Sequence, residues 1–291
     1  MEFSATNSQI FIGIPIFNPD IALLDDLIGG IISSQIKITI SFDPFSEFDS
    51  LDFITRYGSH EFIEIIVSKI GGVWQNHLHL INACKSRYIY FLHQDDYVEF
   101  ESLFAAFEIW ANKVGVGSLS FSKDVGTIRP RHEFVQVLPG LLTRLKVGEN
   151  VDFNRIGNRL GPPSMNIYEV SGLKSVPFSG SASMDMVWNA CFLQGGMVTA
   201  WEGNSFIRLG NPVNRDGRLA SVQTGLERLE ESVSILRSHI KYWNFATFYR
   251  CSICGLLRAV VGKVIHNRKL RLSDFKIMLR LVANYAISLC R

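Results

Sequence analysis

The sequence predicts an α/β fold, a mostly parallel sheet flanked by helices, with a helical C-terminal appendage. Three observations carry that expectation. Residues 10–17 and 88–92 are continuous apolar runs without alternation, the pattern of strands covered on both faces. Between them, strand-like and helix-like segments take turns, which favours right-handed crossovers and parallel neighbours. From Leu226 onward the apolar spacing becomes purely helical, through Leu229, Val233, Leu236 and Ile240.

Taken in order, residues 10–17 form the first strand, broken by Asn18-Pro19-Asp20, with Asp20 placed to cap a helix. Leu23, Leu24, Leu27, Ile28, Ile31 and Ile32 recur at helical spacing, and Asp25 and Asp26 near the start suit the helix dipole. Residues 37–42 read as the next strand, ending at Asp43-Pro44. Residues 51–57 read as a helix with Gly58 as its C-cap, and 62–67 as a third strand. A Gly71-Gly72 turn leads to a helix over 73–83 and then to the central strand, 88–92. Residues 100–112 read as helix and 115–121 as strand. Residues 123–158 are irregular and rich in basic residues, the kind of insertion that shapes a second substrate site. Asp185 opens a helix closed by Gly195-Gly196, and 197–201 read as a late strand.

Composition narrows the function classes. Of 291 residues, 47% are hydrophobic and 19% charged, so a large core forms and global disorder does not. A formal net charge of +2 gives no footprint for nucleic acid. Five scattered cysteines form no disulfide framework, which fits a reducing cytoplasm. Cys251 and Cys254 have CxxC spacing but no second pair, so two helical cysteines are the better reading than zinc. The N-terminus is polar and not a signal peptide, and no run reaches the ~20 apolar residues that span a bilayer. The expectation is a soluble or peripherally bound protein. There is no G-x-G-x-x-G and no P-loop sequence, which argues against dinucleotide enzymes and P-loop NTPases. His77 and His79 lie two apart on a helix and so point to different faces; they read as surface or groove residues.

The chemistry concentrates where strands end. The central strand runs straight into His93-Gln94-Asp95-Asp96. In open α/β sheets ligands sit beyond the carboxyl ends of strands. Two adjacent carboxylates there repel each other and call for a cation, economically a divalent metal carrying a diphosphate. An acidic surface turn after a strand has the same sequence. With a parallel sheet, Pro15-Ile16-Phe17-Asn18, Asp43, the Gly71-Gly72 turn with Asn76, and His93 to Asp96 all fall on one rim.

This set resembles the nucleotide-sugar half of the family 2 glycosyltransferases, with the GT-A (Rossmann-like) fold. Pro15, Phe17 and Asn18 match the family's P-x-[YF]-N, Asp43 its strand-end aspartate, Gly71 or Gly72 with Asn76 its glycine and asparagine, and His93-Gln94-Asp95-Asp96 its D-Q-D-D. Gly161-Pro-Pro-Ser164 is similar to the family's G-x-P-S stretch, and Asp185 to its second acidic motif. The resemblance spans roughly residues 10–201 and divides the chain into a GT-A domain over 1–225 (nucleotide-sugar half 1–122, acceptor half 123–225) and a helical region over 226–291.

The resemblance implies roles. Asp43 would accept a base N–H and Phe17 would supply apolar area beside the base. Pro15, Asn18, Asn76, His93, Gln94 and Asp96 would join them in binding the donor. Asp95, with His93, would hold Mn²⁺ or Mg²⁺. Asp185 would be the general base for the acceptor hydroxyl, with inversion at the anomeric carbon. The implied partners are a nucleoside-diphosphate sugar, UDP- or dTDP-type, and a glycan or lipid-linked acceptor in cell-surface polysaccharide synthesis. Trp243, Phe245, Phe248 and Tyr249 beside Arg250, Arg258 and Lys263 suit contact with an anionic membrane surface. Two departures stand out. His93 replaces the first acid of D-x-D, and it can either ligate a transition ion or hydrogen-bond a ribose or phosphate. Met184 stands where a glutamate precedes the base, and Asp185 also suits a helix N-terminus for its dipole alone. The rival readings are a catalytically impaired nucleotide-sugar-binding protein on the same fold and a nucleotidyltransferase. The latter lacks the expected glycine-rich phosphate loop and lysine between Pro15 and Asp20.

Overall fold

The computed structural model describes residues 9–44, 46, 50–94, 96–121, 141–145, 163–176, 184–194, 197–202 and 207–208, and seven positions between 276 and 287. The chain divides into two compact units, Met1–Lys146 with Arg159–Asn211, and Val147–Asn158 with Pro212–Arg291.

The first unit is a mixed, largely parallel sheet with helices on both faces. Its strands are β1 (Ile10–Ile16), β2 (Ile38–Phe42), β3 (Ile63–Val67), β4 (Tyr88–Phe91), β6 (Ser118–Ser120), β7 (Leu141–Leu145), β8 (Asn166–Glu169) and β9 (Val198–Glu202), in the order β3-β2-β1-β4-β8-β6-β9-β7. A separate antiparallel pair joins β5 (Tyr97–Val98) to β10 (Ile207–Arg208). The helices are α1 (Ile21–Ser33), α2 (Ser50–Tyr57), α3 (Val73–Ala83), α4 (Phe100–Lys113), α5 (Val170–Ser175) and α6 (Met184–Gln194).

The apolar runs explain the two-sided packing. Successive side chains of a strand point to opposite faces. Tyr88 and Tyr90 therefore join one layer with Leu24, Ile28 and Ile31 of α1, Phe53 of α2, and Phe107 and Trp110 of α4. Phe91 faces the other way, stacked on Trp188 of α6 at 5.8 Å and beside His77 of α3 at 4.9 Å. α3 lies against β1 because Gly13 leaves room: a Cβ there would sit 3.0 Å from Leu80.

Strand β4 was expected to be a central parallel strand. It is buried throughout, but only its β1 side is parallel; its other neighbour, β8, runs antiparallel. After α4 the chain does not return beside β4. It lays down β6 one place further out, and β8 comes back between them. The pairings β3-β2-β1-β4 remain parallel, so the sheet's topological switch falls between β1 and β4.

Local signals behave as their chemistry requires. Asp20 caps α1, accepting from the amides of Ala22 and Leu23 at 3.1 and 3.3 Å. Asp25 and Asp26 are in the second turn of α1, not its first. Asp25 instead serves as an anchor for α2, taking Arg56 at 3.0 Å and the Tyr57 hydroxyl at 3.0 Å. Gly58 ends α2 without a left-handed backbone, donating to the Ile54 carbonyl at 2.8 Å. Gly117, at φ +86°, enters β6 where a Cβ would lie 2.0 Å from the Met197 carbonyl, so no other residue fits. Burial pushes the thiols of Cys84 and Cys191 up to about 11, which leaves neither a nucleophile.

In the second unit the described residues 276, 279, 280, 282, 283, 286 and 287 are helical and exposed. Among the described residues no helix is long and apolar enough to cross a membrane. The expected helices over 226–275 lie outside the described residues, as does residue range 123–158 apart from β7.

Candidate active site

The carboxyl ends of β1, β2 and β4 gather on one rim, as the parallel register demands. Ile16 lies beside Phe42, and Gly13 beside Phe91. The Asp43 amide donates to the Ile16 carbonyl at 3.1 Å, and the Leu92 amide to Gly13 at 3.0 Å. Phe17, Asp43 and the His93–Asp96 turn thus leave the sheet side by side. That turn is closed by the Asp96 amide donating to the His93 carbonyl at 3.0 Å.

Side chains then tie the rim together. Gln94 Oε1 accepts from the Phe17 amide at 2.9 Å, and Gln94 Nε2 donates to the Phe17 carbonyl at 3.0 Å. Asn18 takes a left-handed φ of +42°, tolerable for asparagine. Its amide donates to Ser46 Oγ at 3.0 Å, and Ser46 Oγ donates to Asn18 Oδ1 at 3.0 Å. Phe17 itself is 41% exposed, a large apolar ring held out on a fixed backbone. Pro15 is half-buried within β1.

Asp43 is 3% exposed, a buried carboxylate, and its Oδ2 accepts from the Gly72 amide at 2.6 Å. Gly72 can turn this amide inward because its φ is +119°, a conformation for glycine. It stands at the start of α3, so the carboxylate also lies at a helix N-terminus, where negative charge is favoured. Asn76 sits deeper. Its Nδ2 donates to the carbonyls of Ile16 at 3.1 Å and Ser41 at 2.9 Å, and its Oδ1 accepts from Ser41 Oγ. Both amide hydrogens are engaged by strand carbonyls, so Asn76 fixes the ends of β1 and β2 from beneath. With its proton given to Asn76, Ser41 Oγ acts as acceptor for His79 Nδ1 at 3.2 Å.

The His93 imidazole lies beside Asp96, Nδ1 to Oδ2 3.6 Å, and Asp96 is 7% exposed. Tyr90, fully buried, donates to the Ser164 carbonyl at 2.9 Å. Burial, and secondarily the Asp96 carboxylate, hold its phenol well above the ordinary value, so it keeps its proton.

His77 is a correction to the sequence expectation. It is not a surface residue but 2% exposed, in an aromatic nest of Trp74 at 4.9 Å, Phe91 at 4.9 Å and the His93 ring at 5.6 Å. Its Nδ1 donates to the Val73 carbonyl at 2.7 Å. Burial, with the neighbouring His93, lowers it to about 3, so it is neutral and its Nε2 is an acceptor, buried without a hydrogen-bond partner among the described residues. The face of α3 could have revealed it: Asn76 and His77 repeat at Leu80 and Ile81, a buried stripe.

Asp185 belongs to the first turn of α6, but its side chain is outside the described residues, as is Asp95 altogether. α6 is docked by Trp188, which is 2% exposed and packs on Phe91, on Trp74 edge-on at 5.4 Å, and on Tyr168 at 6.0 Å. Met184, which precedes Asp185, is fully buried. Among the described residues no group of three His, Cys, Asp or Glu side chains is arranged to hold a metal.

No protein-family profile matches the sequence, and no curated protein matches it. Solved structures do. The chain is similar to S. aureus TarS 1–349 in complex with UDP, with a TM-score of 0.63 and 14% identity over 96% of this chain and 80% of that one. The same protein in complex with UDP-GlcNAc gives 0.64 and 12%, over 96% and 81%. The mannosyltransferase PcManGT from Pyrobaculum calidifontis, in complex with GDP-Man and Mn²⁺, gives 0.54 and 10%, over 97% and 80%. At these identities the likeness defines the fold, the Rossmann-like GT-A architecture of glycosyltransferases.

Proposed function

We propose that the protein is a glycosyltransferase that moves a sugar from a nucleoside-diphosphate donor to a hydroxyl of a glycan or lipid-linked acceptor, in cell-surface polysaccharide synthesis. The observation that carries this is the convergence of Phe17, Asp43 and the His93–Asp96 turn at the switch point of a GT-A sheet. The neighbours solved with UDP, UDP-GlcNAc and GDP-Man support it. In this reading Asp43 selects the base edge and Phe17 covers the base. Asp185 accepts the proton of the acceptor hydroxyl as its oxygen attacks the anomeric carbon from the face opposite the leaving diphosphate, with inversion. The acceptor side falls to residues 123–225.

Asp95 with His93 would hold a divalent ion, with Asp96 beside the imidazole on its Nδ1 side. The buried His93 Nε2, without a hydrogen-bond partner among the described residues, and a donor set mixing imidazole with carboxylate fit Mn²⁺ better than Mg²⁺. Bound there, the ion would neutralise charge on the departing diphosphate. The test is a thermal-shift series with UDP, GDP and dTDP, with and without Mn²⁺. One of them should raise the melting temperature by several degrees, more with the ion. Flat curves with all three would defeat the proposal. Donor hydrolysis that disappears in Asp95→Ala separates an enzyme from a binding protein on the same scaffold.

We also assign the C-terminal helix to an anionic membrane surface. Leu279, Val282 and Ile287 are 71%, 52% and 51% exposed, Lys276 and Arg280 are exposed among them, and residues 250–291 hold Asp274 as their one acid. The chain should co-sediment with vesicles containing phosphatidylglycerol and remain free of pure phosphatidylcholine. Equal partition between the two would contradict the assignment.

A further inference from the structure

Among the described residues, the Gln94 side chain bridges the carboxyl ends of β1 and β4. Gln94 meets the Phe17 backbone twice, Oε1 accepting the amide at 2.9 Å and Nε2 donating to the carbonyl at 3.0 Å. Direct pairing of the two strands stops earlier, at Gly13 opposite Phe91 and the Leu92 amide on Gly13. Beyond that point the backbones part, and Gln94 continues the ladder with its own amide. We infer that Gln94 is a positioning residue that couples the two halves of the donor site, holding Phe17 in fixed relation to the His93–Asp96 turn. This rests on the glycosyltransferase reading, in which the turn receives the diphosphate and its ion, and Phe17 the base.

The residue type is decisive. The clamp needs a donor and an acceptor at the end of a two-carbon arm. Glutamate has the reach but no donor, and asparagine has both groups but one methylene too few. Phe17 is also gripped from behind, because Asn18 is fixed to Ser46. A shift of the turn therefore reaches Phe17 as a shift of its backbone and is not absorbed by a flexible loop. In a two-site linkage, an ion that settles the turn then raises affinity for a base it never touches.

A nucleoside isolates this effect, since it lacks the phosphates that would contact the ion directly. UDP and GDP are first titrated into the wild-type chain, and the parent nucleoside of whichever binds becomes the probe. Saturating Mn²⁺ should raise wild-type nucleoside affinity about 5-fold. In Gln94→Ala the same addition should change it less than about 1.5-fold, with Gln94→Glu between the two. The Phe17 amide, followed by hydrogen exchange without any ligand, should exchange at least about 10-fold faster in Gln94→Ala. Undiminished Mn²⁺ enhancement in Gln94→Ala, or unchanged Phe17 exchange, overturns the inference. If neither nucleotide binds the wild type while Phe17 exchange still responds to Gln94→Ala, the donor reading itself has failed and the coupling falls with it.

Discussion

On the glycosyltransferase reading, Asp43→Asn should lower affinity for the donor nucleotide about 100-fold while leaving the fold intact. The substitution is nearly isosteric. The side-chain oxygen of the substituted asparagine can still accept the Gly72 amide, now bonded to Asp43 at 2.6 Å, so the start of α3 keeps its anchor. What changes is the remaining acceptor capacity. A carboxylate offers about four lone-pair sites, whereas asparagine turns half of its head into a donor. A base N–H that met a buried anion would then face another N–H. Loss of one charge-assisted hydrogen bond, with an unpaired donor left behind, amounts to roughly 2–3 kcal/mol. Calorimetric titration of UDP and GDP, with melting temperature as the control, measures both halves. Wild-type affinity in a well-folded Asp43→Asn chain would remove the residue from the base site.

His77 should make the protein acid-sensitive in a defined window. Its pKa falls from 6.5 unfolded to about 3 folded, chiefly through burial and secondarily through His93. Between those values the unfolded chain binds the extra proton, so stability rises with pH there. The contribution is complete above pH 6.5 and is lost as pH falls toward about 3. The slope approaches 1.4 kcal/mol per pH unit, or about 2 kcal/mol between pH 6.5 and 4.5. His77→Phe suits a nest of Trp74, Phe91 and Trp188 and removes the titration. Urea unfolding at pH 6.5 and 4.5 should show the wild type losing about 2 kcal/mol more than the variant. Parallel losses in both would show that protonation of His77 is not what acid exploits.

Local chemistry was legible in the sequence, and long-range pairing was not. Residues 10–17 and 88–92 read as doubly covered strands because they are continuously apolar. Asp20 was readable as a cap from its place before an apolar periodic run. The antiparallel neighbour of β4 was hidden, since Asn166 to Glu169 is four residues long and nothing local states which strand it will join. Asn76 and Gln94 were assigned to the rim from motif position, yet Asn76 donates to the backbones of β1 and β2, and Gln94 to the backbone just past β1. Such partners depend on φ/ψ at Phe17 and Ile16, which no side-chain pattern records. His77 was misread because the test applied to it was metal spacing, when the stripe it shares with Leu80 and Ile81 placed it inside.

Three braces of this rim, Asn18 with Ser46, Asp43 with Gly72 and Gln94 with Phe17, are made by residues before position 97. Asp185 arrives some ninety residues later, on a helix attached through Trp188. On the proposed reading the polypeptide keeps donor and acceptor recognition on separate stretches of chain, joined where Trp188 packs on Phe91 and the Tyr168 hydroxyl donates to Asn189 Oδ1. On that reading, a substitution that alters acceptor choice need not disturb the part that would grip the leaving group.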